Sequence, residues 1–125
     1  MAKSKDAGKK ILVVDDDESV LKIIQLQLEF GGFSVFTEKS AHGMLLAVSQ
    51  GDYSAILLDL GLPDMEGLEA LKKLKSFKPD LPVITVTGNH EEEKGRQAMK
   101  LGAWDYVTKP IDFKYLKNVL LIQSQ

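Results

Sequence analysis

The chain contains no cysteine. That excludes disulfides, thiol catalysis and thiolate zinc sites. Its two histidines, His42 and His90, are far apart in the sequence, which leaves no basis for a histidine metal centre. Both are expected on helix surfaces, and neither is a good phospho-acceptor. No apolar stretch reaches membrane-spanning length, and no signal peptide is visible. Cytoplasmic residence without membrane association is the expectation. A net charge of −2 argues against a dedicated nucleic-acid surface. The lysine-rich opening (Lys3, Lys5, Lys9, Lys10) has neither aromatic nor arginine beside it. Residues 1–9 therefore read as a flexible, solvated lead-in and 10–125 as the domain.

What remains is ordinary for a folded protein: 125 residues, 44% hydrophobic and 27% charged. This size gives one domain that buries a core without staples. Short apolar runs punctuate the chain, and each ends in a chemically pointed residue. Ile11-Leu12-Val13-Val14 leads into Asp15-Asp16-Asp17, and Ala55-Ile56-Leu57-Leu58 into Asp59. Pro82-Val83-Ile84-Thr85-Val86 leads into Thr87-Gly88, and Trp104 to Thr108 into Lys109-Pro110. A further short strand is expected over 33–37, centred on Val35. Such runs read as buried parallel strands.

Helical patterns fill the gaps. Asp17 is placed to cap a helix through about Phe30, with Leu21, Ile24 and Leu28 on one face and Gly31-Gly32 as its stop. Ser40 is placed to cap a second, ending near Gln50 and weakened by Gly43, so this helix is expected to be the least regular. Leu68, Leu71 and Leu74 line the inner face of a third, with Lys72, Lys73 and Lys75 outward. The fourth is polar, with Ala98, Met99 and Leu101 its buried residues, and Gly102 ends it. Phe113, Leu116 and Leu120 mark the fifth. Strand-helix alternation with short loops predicts an α/β fold, a doubly wound five-stranded parallel sheet with helices on both faces. The favoured strand order is 2-1-3-4-5, partly by analogy.

In an open parallel sheet, chemistry gathers at the strand carboxyl ends. Three carboxylates, one hydroxyl and one ammonium would meet at one edge. Each has an unremarkable alternative: a helix cap for the aspartates, a turn residue for Asp59, a surface lysine for Lys109, a strand residue for Thr87. One cap explains one aspartate of Asp15-Asp16-Asp17, not three. Two carboxylates about 4 Å apart repel by roughly 4 kcal/mol at an effective dielectric of 20. Lys109 offsets part of that repulsion. A hard divalent cation with oxygen ligands would offset the rest, and Mg²⁺ with several waters suits best. A cis Lys109-Pro110 bond is plausible in such a turn. Tyr106 and Trp104 both read as core aromatics by the residues alone.

The segments ILVVDDDESVL, AILLDLGLPDMEGLEAL, PVITVTG and GAWDYVTKPID, in this order and spacing, resemble the receiver domain of bacterial two-component response regulators. The resemblance runs from Lys10 to about Ile122 and implies a flavodoxin-like receiver fold with five helices. It also implies that Asp59 accepts a phosphoryl group from the phosphohistidine of a sensor histidine kinase or phosphotransfer protein. Such a chain catalyses its own phosphorylation and dephosphorylation rather than turning over a free substrate. By the same resemblance, Asp15, Asp16, Asp59 and the Gly61 carbonyl are the protein ligands of Mg²⁺, and Lys109 contacts the phosphoryl oxygens. Thr87 and Tyr106 form the switch, one moving toward the phosphoryl group and the other rotating inward. The output face is the fourth helix, fifth strand and fifth helix, used for partner, output-domain or phosphorylation-dependent homodimer contacts.

Two residues depart from the usual pattern of that family: Gly61, two positions after Asp59, and Asn89, two after Thr87. Both border the phosphoryl position and are expected to set its lifetime. Glu66, where the loop often has Asp or Asn before Gly67, is expected to be harmless. An aspartyl phosphatase of the haloacid dehalogenase type would need an aspartate where Gly61 stands. A nucleotide or flavin site would need a glycine-rich phosphate loop, which Gly61, Gly67 and Gly88 do not form. A receiver-fold interaction module acting without phosphorylation normally lacks the acceptor or the lysine, and both are present. Either a free-standing receiver or one cut from a longer regulator, whose output domain is missing, is compatible with a chain of this length.

Overall fold

A computed structural model describes residues 9–123. The strands are β1 (Lys10–Val14), β2 (Ser34–Glu38), β3 (Ala55–Asp59), β4 (Val83–Thr87) and β5 (Asp105–Thr108). The helices are α1 (Glu18–Phe30), α2 (Ala41–Gln50), α3 (Gly67–Phe77), α4 (Glu92–Lys100) and α5 (Phe113–Gln123). All strand pairs are parallel, in the order β2-β1-β3-β4-β5. The helix number is as the alternating pattern predicts, and the strand order is the one favoured partly by analogy.

Alternation along each strand divides the core into two layers. Ile11, Val13, Leu57, Ile84 and Val86 face α1 and α5, where Leu21, Ile24, Leu28, Leu116 and Leu120 meet them. Leu12, Val14, Ile56, Leu58 and Val83 face α2, α3 and α4, where Met44, Val48, Leu71, Leu74 and Ala98 meet them. β3 is buried at every position, as the central strand of a doubly covered sheet must be. Each fully buried leucine or isoleucine contributes about 1.5–3 kcal/mol relative to exposure.

The helix starts follow from their caps. Asp17 Oδ1 accepts from the Ser19 and Val20 amides at the head of α1. Ser40 Oγ accepts from the Gly43 amide in α2. The Gly31 and Gly32 amides close the other end of α1, with Gly32 at φ 98°, a conformation that favours glycine.

Several expectations are corrected. β2 spans 34–38 rather than 33–37, with Phe33 buried just before it. β5 begins at Asp105, and Trp104 is 49% exposed, not a core aromatic. Met99 is exposed and Leu101 half-buried, while Gly95 is the residue that joins Ala98 against the sheet. Lys75 does not point outward: its ammonium donates to the Leu81 carbonyl at 2.9 Å, closing the α3 to β4 connection. α2 runs unbroken through Gly43, so the expected irregularity is absent from this helix. A Cβ at 43 would overlap the Glu38 carboxylate. His42 is exposed on α2, but His90 lies in the turn before α4 rather than on a helix. Of the expected lead-in over residues 1–9, residues 1–8 lie outside the described residues. Lys9 is described, and its carbonyl accepts from the Ser34 amide.

Among the described residues, no helix is long and apolar enough to cross a membrane.

Candidate functional site: an acidic cluster at the strand ends

Asp15 directly follows β1, and its amide donates to the Glu38 carbonyl at 3.1 Å. The ladder therefore continues one residue past the strand and holds Asp15 at the sheet edge. The three aspartates then part company. Asp15 is buried, with Oδ1 accepting from the Asp17 amide at 2.9 Å. Asp16 is exposed. Asp17 is the α1 cap.

Asp59 closes β3 on the neighbouring strand and is also buried. Carboxylate oxygens of Asp15, Asp16 and Asp59 lie within 4.8 Å of one another. Asp59 Oδ1 accepts from the Gly61 amide at 2.9 Å. Its Oδ2 is 3.3 Å from Lys109 Nζ, and the same ammonium is 3.3 Å from Asp15 Oδ2. Lys109 is set by the sheet as well, since its amide donates to the Thr87 carbonyl at 2.9 Å. The Lys109-Pro110 peptide, for which cis was plausible, is cis.

Burial raises the Asp15 carboxyl above its ordinary value, opposed by the Asp17 amide and reinforced by repulsion from Asp59. Burial alone would lower the Lys109 ammonium, but Asp59 and Asp15 together outweigh it and raise it. Lys109 thus pairs with two of three clustered carboxylates, a set of hard oxygen donors that can hold a divalent cation. Exposed Asp16 and Gly61 leave one side of the cluster open to solvent.

Thr87 ends β4 and is buried, and its hydroxyl is turned to the Val107 carbonyl at 3.5 Å, a long bond. Tyr106, paired with Thr85 in the β4-β5 register, is half-buried. A Cβ on Gly95 would overlap its ring, so the ring lies directly on the α4 backbone. The Thr85 hydroxyl on the same face is wholly buried without a hydrogen-bond partner among the described residues.

Asp15, Asp16, Asp59, Gly61 and Lys109 are thus brought together as the sequence predicts, with Thr87 one strand away and Tyr106 beyond it. The sequence reading missed two features. Asp64, in the loop after Asp59, accepts from the Ala41 and His42 amides of α2. The Tyr115 hydroxyl donates to the Asp105 carboxylate, tying α5 to β5. Neither has a local signal, because each joins segments whose proximity only the fold creates.

Residues 11–121 match the family model described as the response regulator receiver domain. Among curated relatives, the chain is 38% identical over 106 residues to the uncharacterized transcriptional regulatory protein YkoG of Bacillus subtilis (strain 168), covering 85% of this chain and 46% of that protein. It is 36% identical over 110 residues to the transcriptional regulatory protein ZraR of Salmonella typhimurium, covering 88% of this chain and 25% of that one. The chain therefore spans less than half the length of these relatives. Among solved structures, a response regulator receiver domain protein from Clostridium thermocellum superposes with a TM-score of 0.88 at 29% identity, covering 93% of this chain and 94% of that one. With strand order, acidic cluster and family match in agreement, the chain belongs to the receiver domains of two-component response regulators.

Proposed function

We propose that Asp59 is the phospho-acceptor of this receiver and that Mg²⁺ is the cation of its acidic cluster. The observation that carries the reading is the convergence on buried Asp59 of Lys109 and two further carboxylates. Asp15, Asp16, the Asp59 carboxylate and the Gly61 carbonyl are the groups that would hold Mg²⁺. Bound there, Mg²⁺ supplies positive charge to the phosphoryl oxygens during transfer.

The chain's own residues do the rest. An Asp59 oxygen attacks phosphorus in a donor phosphohistidine, and the P–N bond breaks with its electron pair left on the imidazole. The acceptor is a weak nucleophile, so positioning and charge neutralisation carry the rate. Asp59 is held by the Gly61 amide at one oxygen and by Lys109 at the other. Lys109 also neutralises charge on the group in flight. The acyl phosphate then offers the Thr87 hydroxyl an acceptor stronger than its 3.5 Å bond to Val107. Movement of Thr87 biases Tyr106 and with it the face built from α4, β5 and α5. Gly61 and Asn89 border the phosphoryl group and set its lifetime. A Cβ at 61 would meet only Asp59 Oδ1, at 3.5 Å, so the glycine leaves that side of the acceptor open.

The partners that follow are a histidine kinase or phosphotransfer protein as donor, and an output domain or second phosphorylated copy at the α4-β5-α5 face. The greater length of the relatives supports an output domain, and cytoplasmic residence accompanies this role. Incubation with Mg²⁺ and a small acyl-phosphate donor tests the reading by intact mass. One added phosphoryl mass that disappears when Mg²⁺ is chelated supports it. No addition, together with no Mg²⁺ binding, contradicts it and favours an interaction module that acts without phosphorylation.

A further inference from the structure

The loop between Asp59 and α3 is fastened at four points. Leu60 and Leu62 are buried in the α2-α3 layer. Gly67 lies so close to Leu60 that a Cβ there would overlap the Leu60 backbone. Glu66 turns back on its own helix, accepting from the Glu69 amide at 3.1 Å. The fourth fastening leaves the loop altogether. Asp64 Oδ1 accepts from the Ala41 amide at 2.9 Å and Oδ2 from the His42 amide at 3.0 Å, with His42 Nδ1 beside the same oxygen at 2.5 Å.

Those two amides belong to the first turn of α2, where a helix has unsatisfied donors. The helix has its own cap, but Ser40 Oγ reaches only the Gly43 amide. Asp64 supplies acceptors to the donors that Ser40 leaves. A carboxylate is also favoured there by the helix dipole. The amides of Ala41 and His42 hold the Asp64 carboxyl down to about 2, so it is ionised through the physiological range. α2 in turn packs through Ala41, Met44 and Val48 against Leu12 and Val14, the residues that lead into Asp15. The loop is therefore tied, through Asp64, to the layer that positions the other two carboxylates.

Between the buried anchors Leu60 and Leu62, Gly61 is exposed and carries the broad backbone freedom of glycine. Its amide nonetheless meets Asp59 Oδ1. We infer that Asp64 is a positioning residue for phosphotransfer: held on the amino end of α2, its carboxylate fixes the loop that keeps Gly61 against Asp59. The role rests on the proposed acceptor function of Asp59, but the geometry can be tested without it.

The test compares wild type with Asp64→Ala, Asp64→Asn and Ser40→Ala, each at the same margin below its own melting temperature. Ser40→Ala is the control, because it removes the other cap of the same helix without touching the loop. Two quantities are read: amide hydrogen exchange at Gly61 in the metal-free protein, and the Mg²⁺ dissociation constant by calorimetry. Asp64→Ala speeds Gly61 exchange by roughly tenfold, and it weakens Mg²⁺ binding by roughly tenfold. Asp64→Asn, which keeps one acceptor oxygen, recovers part of both, and Ser40→Ala leaves both at wild type. Unchanged Gly61 exchange in Asp64→Ala overturns the inference, as does a Ser40→Ala variant that reproduces it. A wild type that binds no Mg²⁺ and accepts no phosphate counts against the proposed function, whereas unchanged Gly61 exchange counts against Asp64 alone.

Discussion

Lys109 Nζ stands 3.3 Å from Asp15 Oδ2 and 3.3 Å from Asp59 Oδ2, so one ammonium bridges the ends of two adjacent strands. Its attraction to Asp59 is about 5 kcal/mol at an effective dielectric of 20. Asp59 also faces two carboxylates within 4.8 Å, each repelling it by about 3.5 kcal/mol on the same scale. On this scale, with all three carboxylates charged, the two repulsions together exceed the attraction. Asp59→Asn keeps an oxygen for the Gly61 amide and removes one of the three charges. The metal-free variant is predicted to melt higher than wild type by about 4 °C, a gain near 1 kcal/mol after solvent screening. Calorimetric melting with and without Mg²⁺ checks this, and Mg²⁺ stabilises wild type far more than the variant. A variant that melts lower in the absence of metal would show that the cluster is not under net repulsion.

Tyr106 and Gly95 are predicted to be coupled. In wild type, Gly95→Ala drives a methyl into the tyrosine ring. Overpacking of this kind costs typically 1–3 kcal/mol, against a gain of about 1 kcal/mol in helix propensity. With Tyr106→Ala in the background the clash is gone, and Gly95→Ala becomes stabilising by about 1 kcal/mol. A double-mutant cycle by urea unfolding measures the difference. Additive effects would mean the ring does not rest on Gly95.

The Thr85 hydroxyl is fully buried with no hydrogen-bond partner among the described residues. Thr85→Val removes it at nearly constant shape and is predicted to stabilise the domain by about 1–2 kcal/mol, since an unpaired buried donor costs about that much. Equilibrium unfolding that shows a loss instead would imply a hydrogen bond the structure lacks.

Asp64 gives a pH dependence with a definite sign. Its folded value of about 2 lies below the ordinary 3.8, because the Ala41 and His42 amides favour the charged form. The stabilisation is therefore complete above pH 3.8 and is lost as pH falls toward 2. The stability difference between wild type and Asp64→Ala should be constant above about pH 5 and shrink on acidification. A difference that grows on acidification would reverse the assignment.

Much of this was legible because it is local. Asp17 could be read as a cap and Gly31-Gly32 as a stop, since both act within a few residues of themselves. The apolar runs announced a parallel sheet, and a parallel sheet necessarily gathers Asp15, Asp59, Thr87 and Lys109 on one edge. Less legible were residues whose role is set by something distant. Lys75 read as a surface lysine because nothing nearby in the sequence shows that the Leu81 carbonyl awaits it. Trp104 read as core because its side chain is large and apolar, yet it stands just before β5, outside both layers. Gly43 read as a weak point in its helix, yet α2 runs unbroken through it, and nothing local marked Gly95 as the position on which the Tyr106 ring rests. Asp64 sits in a loop 23 residues from the amide it accepts from, and no periodicity links the two.

The central claim is that Asp59, among three clustered aspartates, is the group that takes the phosphoryl. Borohydride reduction of the protein after acyl-phosphate treatment with Mg²⁺, followed by peptide mass mapping, tests it most directly, because an aspartyl phosphate is converted to homoserine where it stood. Homoserine at position 59 and at neither 15 nor 16 is the predicted result. Homoserine at another aspartate, or phosphoryl incorporation that persists in Asp59→Asn, would contradict the account.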